Sequence, residues 1–255
     1  MARKHLATYP NLKAILFDLD DTLLINPMSK FIPVYFELIC GFVADLVPAE
    51  QLIPALLQGT RAMEKNIDPS LANNEVFFKE FFSCITAEES LLRPRLEQFY
   101  IQEYPKLAIL TKPAPGSLRI VELAFQTGLD VVIATNPLFP RNALEQRIEW
   151  AGVPVTEFNY SLVTTFEIMH AAKPNPDYYY EILDYLSRKP GESLMVGDDW
   201  ERDIIPAASI GIHVFWINDT NTVRPKHQIP PELWLGQGSL TYLEEILSGS
   251  NPTLS

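Results

Sequence analysis

The stretch Ala14-Ile-Leu-Phe-Asp18-Leu-Asp20-Asp-Thr22 is a short apolar run that ends in three carboxylates and a threonine. Continuous apolar runs of this kind are typical of buried parallel strands. In open α/β sheets the ligand crevice lies just beyond the carboxyl ends of such strands. The position of Asp18 and Asp20 therefore indicates a functional site, although a solvated acidic turn remains an alternative for this pair taken alone.

Three later segments also place polar residues beside strand-like runs. The run Leu129-Asp-Val-Val-Ile-Ala-Thr135-Asn136 ends in a hydroxyl and an amide. Lys173 stands directly before a helix-opening Pro-Asn-Pro-Asp sequence. The run Ser193-Leu-Met-Val-Gly197-Asp198-Asp199 ends in carboxylates, and Asp203 follows it. These residues are the remaining candidates for a site at the strand ends.

Taken in order, Asp18-x-Asp20-x-Thr22, Thr135, Lys173 and Gly197-Asp198-x4-Asp203 resemble the four signature motifs of the haloacid dehalogenase (HAD) superfamily. Each motif alone is a weak signal, but four of them in order, each near a strand end, are specific. The resemblance implies a Rossmann-like α/β core with a parallel sheet and a helical cap inserted between the first two motifs.

The pattern along the chain agrees with this organisation. Residues 28 to about 110 read as a run of helices, at Phe31–Leu46, Pro48–Asn66, Asn73–Thr86 and Glu88–Tyr104. We therefore predict a helical cap domain over 28–110 and an α/β core domain formed by 1–27 and 111–255. The hinges of the cap are predicted near Leu24–Met28 and Lys106–Pro115.

From Lys112 onward, strand and helix patterns alternate, which predicts a parallel sheet with right-handed crossovers. The predicted strands are Leu129–Ala134, Tyr160–Thr164, Ser193–Val196 and His213–Trp216. The predicted helices are Ser117–Thr127, Arg141–Ala151, Pro176–Ser187, Asp203–Ser209 and Leu240–Leu247. Residues 1–13 are predicted to be a lead-in, and residues 218–236 to be irregular.

Composition limits the possible partners. A net charge of −12 over 255 residues argues against binding to nucleic acid or to an acidic membrane surface. The amino-terminal residues lack the apolar segment of a signal peptide, and no apolar run approaches transmembrane length. The two cysteines, Cys40 and Cys84, are interpreted as small core residues. We therefore expect a cytoplasmic protein that is a monomer or weak homodimer and acts on a small molecule.

The resemblance implies the hydrolysis of a phosphate ester and a role for each of these residues in it. Asp18 would be the nucleophile that forms an aspartyl-phosphate, and Asp20 would protonate the leaving group and later activate water. Thr135 would donate its hydroxyl, and Asn136 its backbone N–H, to a phosphoryl oxygen. Lys173 would neutralise negative charge on the nucleophile and on the phosphate.

The resemblance also implies a Mg²⁺ site made of oxygen ligands, as this hard cation prefers. The ligands would be the side chains of Asp18 and Asp198 and the backbone carbonyl of Asp20. Asp203 would hold a metal-bound water or orient Lys173. The doubled Asp198-Asp199 leaves open which of the two carboxylates contacts the metal.

Asp20 separates the reaction classes within the resemblance, because the dehalogenase and ion-pump branches lack an aspartate two places after the nucleophile. We therefore predict a Mg²⁺-dependent phosphatase acting on a small phosphorylated metabolite. The alternatives are a sugar-phosphate mutase and a catalytically weak binding or regulatory protein on the same fold. Arg61 and Lys65 lie four residues apart and could meet a second anionic group, but a solvated helix face is favoured.

Overall fold

The structure is a computed structural model that describes residues 11–218, 222–223, 225 and 229–249. Its strands are β1 (Ala14–Phe17), β2 (Leu24–Ile25), β3 (Lys112–Pro113), β4 (Asp130–Ile133), β5 (Leu162–Val163), β6 (Ser193–Gly197), β7 (His213–Ile217) and β8 (Trp234–Gly238). Its α-helices are α1 (Met28–Phe42), α2 (Ala49–Lys65), α3 (Asn73–Ser83), α4 (Glu89–Gln102), α5 (Ser117–Thr127), α6 (Arg141–Trp150), α7 (Pro176–Leu186), α8 (Ile205–Ser209) and α9 (Leu240–Ser248).

Six strands form one sheet in the order β5-β4-β1-β6-β7-β8, and every neighbouring pair is parallel. The predicted α/β fold is therefore confirmed.

The four residues of β1 have no solvent exposure, and they alternate between the two faces of the sheet. Ile15 and Phe17 pack into the apolar cluster that includes α5 and α9, whereas Ala14 and Leu16 pack into the cluster that includes α7 and α8. Burial on both faces explains why β1 is a continuous apolar run.

Helices α1 to α4 surround a further apolar cluster, which also includes Ala143 of α6 and Phe166. Phe31, Phe81 and Phe99, from three different helices, are fully buried in it. All four helices lie close to their predicted positions, although α1 begins at Met28, directly after Pro27, and ends at Phe42. The spacing of the apolar residues thus predicted helical packing correctly.

The chain enters and leaves this helical segment at a two-stranded antiparallel ribbon. Leu24 of β2 pairs with Pro113 of β3, and Ile25 pairs with Lys112. Part of the second predicted hinge is helical rather than irregular. Residues 104–110 form a 3₁₀ helix in which Leu107 is fully buried. Irregular chain between that helix and the ribbon is limited to Thr111.

Two element predictions are wrong in the carboxyl-terminal part. Residues 218–236 were expected to be irregular, but β8 begins at Trp234 and extends the sheet beside β7. Its sequence, Trp-Leu-Gly-Gln-Gly, contains two glycines and has no alternation of apolar and polar residues, so it lacks a strand signal. The helix expected from Asp203 is preceded by a π-helical turn over Trp200–Ile204, and α8 begins only at Ile205.

The predicted lead-in over residues 1–13 lies outside the described residues as far as residue 10. Within the ranges that the structure describes, no helix combines the length and the hydrophobicity needed to cross a bilayer.

Candidate active site

The candidate site is built at the carboxyl ends of three neighbouring strands. Asp18 follows β1 directly, its backbone N–H donates to the carbonyl of Val196 at 2.9 Å, and Asp198 follows β6. On the other side of β1, the N–H of Ala134 donates to the carbonyl of Phe17 at 2.7 Å, and Thr135 comes next. Parallel pairing with β1 at the centre therefore brings Asp18, Thr135 and Asp198 to one edge of the sheet.

A tight turn follows the strand and separates Asp18 from Asp20. The backbone N–H groups of Leu23 and Leu24 both donate to the carbonyl of Leu19 at 2.9 Å. Asp21 takes a left-handed conformation with a φ of 57°, which aspartate tolerates better than most residues. Because β1 ends at Phe17, Asp18 and Asp20 are freed from the alternation of a regular strand.

Three carboxylates and one lysine form the charged centre of the site. Oxygens of Asp18, Asp198 and Asp203 all lie within 4.8 Å of one another. The Nζ of Lys173, which is almost fully buried, donates to Asp18 at 2.8 Å and to Asp203 at 2.6 Å. Burial lowers the pKa of Lys173, but the negative charges of Asp18 and Asp203 outweigh that effect and raise the pKa well above its ordinary value. Lys173 is therefore a fixed positive charge.

Asp198 is the carboxylate that Lys173 does not contact. Burial raises its pKa, and the negative charges of Asp18 and Asp203 raise the pKa further. Its side chain accepts a hydrogen bond from the hydroxyl of Thr22 at 3.4 Å. Three crowded carboxylates with one cation among them fit a hard divalent cation such as Mg²⁺, which would relieve their repulsion.

Asp199 and Asp203 are used differently from Asp198. Asp199 accepts from the backbone N–H groups of Glu201 and Arg202 and so caps the turn that begins at Trp200. Asp203 directs one oxygen to Lys173, and the other accepts from the N–H of Asp199 at 3.1 Å. The geometry thus favours Asp198 over Asp199 as a metal ligand and places Asp203 where it orients Lys173.

Gly197 permits the close approach of Asp203 to the strand end. A Cβ atom on Gly197 would lie 2.2 Å from Oδ2 of Asp203, a distance that no side chain can accept. Glycine is therefore required at this position of the motif for a steric reason.

Gly197→Ala is expected to lower kcat/KM on the order of 100-fold, because the displaced Asp203 no longer holds Lys173 against Asp18. The matched control is Gly191→Ala, since nothing lies within 4 Å of the Cβ position at Gly191. Steady-state kinetics on both variants provide the measurement. Wild-type turnover by Gly197→Ala would show that the contact with Asp203 has no functional role.

Thr135 and Asn136 accept hydrogen bonds from residues that lie beyond β4. The carbonyl of Thr135 accepts from the hydroxyls of Thr164 at 2.7 Å and Tyr178 at 2.9 Å. The side-chain oxygen of Asn136 accepts from the backbone N–H of Lys173 at 3.1 Å. Both residues line the same cavity as the charged centre.

Sequence reasoning missed two residues that hold Asp20. Arg147 on α6, only 1% exposed, forms an ion pair with one oxygen of Asp20 at 2.5 Å. The amide of Asn26 donates to the other oxygen at 2.8 Å. Burial raises the pKa of Asp20, while Arg147 and Asn26 both oppose that effect. The only signal in the sequence is that Arg147 falls on the buried face of its helix with Ala143 and Ile148.

A cavity of about 620 Å³ lies between the strand ends and the helical segment. All of the residues predicted for the site line it: Asp18, Asp20, Thr135, Asn136, Lys173, Asp198 and Asp203. Arg61 and Lys65 do not line it and are exposed, as the solvated-face interpretation predicts. Trp200 packs against Trp216, with ring centroids 4.9 Å apart, and has a packing role.

Comparison with known proteins places this site in a family. The model of the haloacid dehalogenase-like hydrolases matches residues 12–211. A curated relative, haloacid dehalogenase-like hydrolase domain-containing protein 3 of Bos taurus, is 31% identical over an alignment of 145 residues that covers 51% of this chain and 55% of the relative. The chain thus spans about half the length of that relative.

Two solved structures share the fold over nearly the whole chain. A HAD phosphatase from Thermococcus onnurineus superposes with a TM-score of 0.57 and 22% identity, covering 93% of this chain and 99% of that one. A 2-haloacid dehalogenase from Pseudomonas syringae pv. Tomato DC3000 gives a TM-score of 0.62 and 19% identity, with the same coverage. Because the family model matches most of the chain, the protein belongs to the haloacid dehalogenase-like hydrolases.

Proposed function

We propose that this hydrolase is a Mg²⁺-dependent phosphatase that cleaves small phosphate monoesters through an aspartyl-phosphate on Asp18. The observation that carries the proposal is the presence of Asp20, two residues after Asp18 and lining the same cavity. A dehalogenase has no need of this acid, and the likeness to a dehalogenase structure at 19% identity concerns the fold alone.

In the first step, a carboxylate oxygen of Asp18 attacks phosphorus, and the bond from phosphorus to the alcohol oxygen breaks. Asp20, in its protonated form, supplies the proton that the departing alcohol needs. Lys173 offsets the repulsion between the Asp18 carboxylate and the phosphate, at 2.8 Å from the nucleophile. Thr135 and Asn136 would donate to a phosphoryl oxygen from the neighbouring strand end.

In the second step, Asp20 removes a proton from water, which attacks the phosphorus of the aspartyl-phosphate. The bond from phosphorus to the Asp18 oxygen breaks, so that the carboxylate is restored and inorganic phosphate leaves. Arg147 and Asn26 act as positioning residues in both steps, because they fix the two oxygens of Asp20. One carboxyl group thus serves as acid and then as base.

The side chains of Asp18 and Asp198 and the backbone carbonyl of Asp20 would hold Mg²⁺. When bound, the cation offsets negative charge on the phosphoryl oxygens. This assignment is supported by the cluster of three carboxylates, two of which contact Lys173.

Exhaustive chelation of divalent cations is expected to abolish turnover, and added Mg²⁺ should restore it. Mg²⁺ should also raise the thermal midpoint of the wild-type protein by roughly 5 °C, because it binds only the folded state. Asp198→Asn should lose this shift, whereas Asp199→Asn should keep it. Full turnover after chelation, or an equal loss of the shift in both variants, would contradict the metal assignment.

Residues 28–110 are proposed to be a mobile cap that excludes water during the first step. In the described conformation the cap also contacts the core at places away from the ribbon. The N–H groups of Asn73 and Asn74 donate to the carbonyls of Met169 and Phe166, both at 2.8 Å. The side chain of Asn66 donates to the carbonyl of His170 at 2.9 Å. These contacts support interpretation of this conformation as the closed one.

A sugar-phosphate mutase, the second candidate, needs the cap to hold a second phosphate. Within the cavity, the residues contributed by the cap helices carry no positive charge, and Arg61 and Lys65 are exposed elsewhere. The phosphatase is therefore preferred. The deciding screen offers phosphorylated metabolites with Mg²⁺ and measures free phosphate, isomerised product and, with haloacids, released halide. Isomerised product or halide without free phosphate would overturn the proposal.

A catalytically weak binding or regulatory protein is the third candidate. The complete set of charged groups in one cavity counts against it.

We also propose a cytoplasmic location, supported by two free cysteines. The protein is proposed to be a monomer or weak homodimer, which light scattering would test.

A further inference from the structure

The part of the cavity lined by α1 to α4, which we call the apolar chamber, differs in chemistry from its charged floor. Every residue that these helices contribute is hydrophobic or aromatic, with the exception of Thr60. The chamber residues include Ile32, Phe36, Ile39, Leu57, Phe78 and Leu96. Leu57 leaves 40% of its surface exposed. Covering such surface with an apolar ligand is favourable.

The few polar groups of the chamber bond mainly to protein groups. The hydroxyls of Tyr35 and Tyr100 bond to each other at 3.0 Å. The hydroxyl of Thr60 donates to the carbonyl of Leu56 at 2.9 Å. The tyrosine pair leaves one O–H hydrogen unused, so a substrate with several hydroxyls or a carboxylate would lose more water in the chamber than this one donor could replace, at a cost in binding free energy.

The two arginines that border the cavity are also engaged. Arg147 pairs with Asp20, and its guanidinium lies 4.6 Å from the ring centroid of Phe139. The Nε and Nη2 atoms of Arg147 are buried and have no hydrogen-bond partner within the described structure. Arg202 pairs with Glu64 at 3.3 Å. A second anionic group of a substrate would therefore have to compete with the carboxylate partner that each arginine already has.

We propose that the apolar chamber binds the organic part of the substrate, which is the phosphate monoester of an uncharged, hydrophobic alcohol. This inference rests on the proposed phosphatase function, since the phosphate is placed at Asp18. A cavity of about 620 Å³ falls within the range of about 300 to 1,000 Å³ that is typical of pockets for drug-sized ligands. Sugar phosphates, bisphosphates and phosphorylated amino acids are poor matches, because each carries more polar groups than the single unused tyrosine O–H of the chamber helices can pair.

The test compares primary alkyl phosphates, whose leaving alcohols have nearly equal acidity, so that differences in rate report binding rather than chemistry. Each added CH₂ group that becomes buried favours binding by up to about 0.8 kcal/mol, so hexyl phosphate should exceed ethyl phosphate in kcat/KM on the order of 100-fold. Glycerol 1-phosphate and glucose 6-phosphate should be no better than ethyl phosphate. A preference for either polar ester, or no dependence on chain length, would overturn the proposal.

A pair of variants tests whether the dependence of kcat/KM on chain length arises in the chamber. Leu57→Gln places an amide in the chamber and should lower the ratio of hexyl to ethyl kcat/KM by roughly fivefold. Leu91→Gln is the matched control, because Leu91 on α4 is 56% exposed and lies outside the cavity. An unchanged ratio in Leu57→Gln, or an equal fall in both variants, would assign the preference to another surface.

Binding of non-hydrolysable alkylphosphonates, measured by calorimetry with Mg²⁺ present, separates this inference from the catalytic proposal. Affinity should rise from the ethyl to the hexyl compound in the wild-type protein. Rising affinity without turnover of any ester would support the chamber and overturn the proposed phosphatase. Turnover of esters with flat or falling affinity would support the phosphatase and overturn the chamber.

Discussion

Asp18→Asn is expected to lower kcat/KM for every phosphate ester by at least about 10⁴-fold, because an amide cannot form the aspartyl-phosphate. The fold should survive, since the amide oxygen can still accept the hydrogen bond that Lys173 donates to Asp18. Asp199→Asn is the matched control, because an asparagine can cap the turn after β6 as the aspartate does. Kinetics and thermal unfolding on both variants make the comparison.

Turnover by Asp18→Asn within tenfold of wild type would remove Asp18 from the role of nucleophile. An equal loss in Asp199→Asn would show that the change of charge near the cluster, rather than the loss of the nucleophile, is responsible.

Arg147→Met is expected to lower kcat/KM for alkyl phosphates on the order of 100-fold, because Asp20 loses the group that fixes one of its oxygens. The loss should be under about tenfold for p-nitrophenyl phosphate, whose acidic phenol leaves with little need of a proton donor. This difference between substrates is a result that a purely structural role for Arg147 does not produce.

Arg141→Met serves as the control for Arg147→Met, because Arg141 lies on the same helix with its side chain 65% exposed and paired with Glu145. Its activity should stay within about twofold of wild type, as for most surface substitutions. Equal losses for alkyl and aryl phosphates in Arg147→Met would make Arg147 a structural residue instead of a positioning residue for Asp20.

Much of the fold could be predicted because the strands beside the site are short apolar runs with polar ends. β1 is buried on both faces, so its sequence has a clear strand pattern that ends where the carboxylates begin. The helices between β2 and β3 were equally clear, since each buries one apolar face in a common cluster. β8 was missed because an edge strand with two glycines is held by pairing with β7 rather than by a pattern of its own.

The sequence indicated which residues line one cavity but not the contacts between them. Spacing near strand ends indicates which side chains meet, because parallel strands share an edge. Spacing does not show that Lys173 contacts Asp18 and Asp203. It also does not show that the Asp199 side chain caps the helical turn that begins at Trp200. Arg147 was missed because a charged residue on a helix is ordinarily solvated, and its burial depends on the partner that the fold supplies.

The most direct test of the central claim is to trap the phosphorylated carboxylate during turnover. The wild-type protein is mixed with Mg²⁺ and a phosphate ester, quenched in acid and reduced with borohydride, which converts an acyl phosphate on aspartate to homoserine. Peptide mass spectrometry should then find homoserine at position 18, dependent on substrate, with none at Asp20 or Asp198. Homoserine at another position, or steady turnover with unmodified Asp18 at every quench time, would contradict the account.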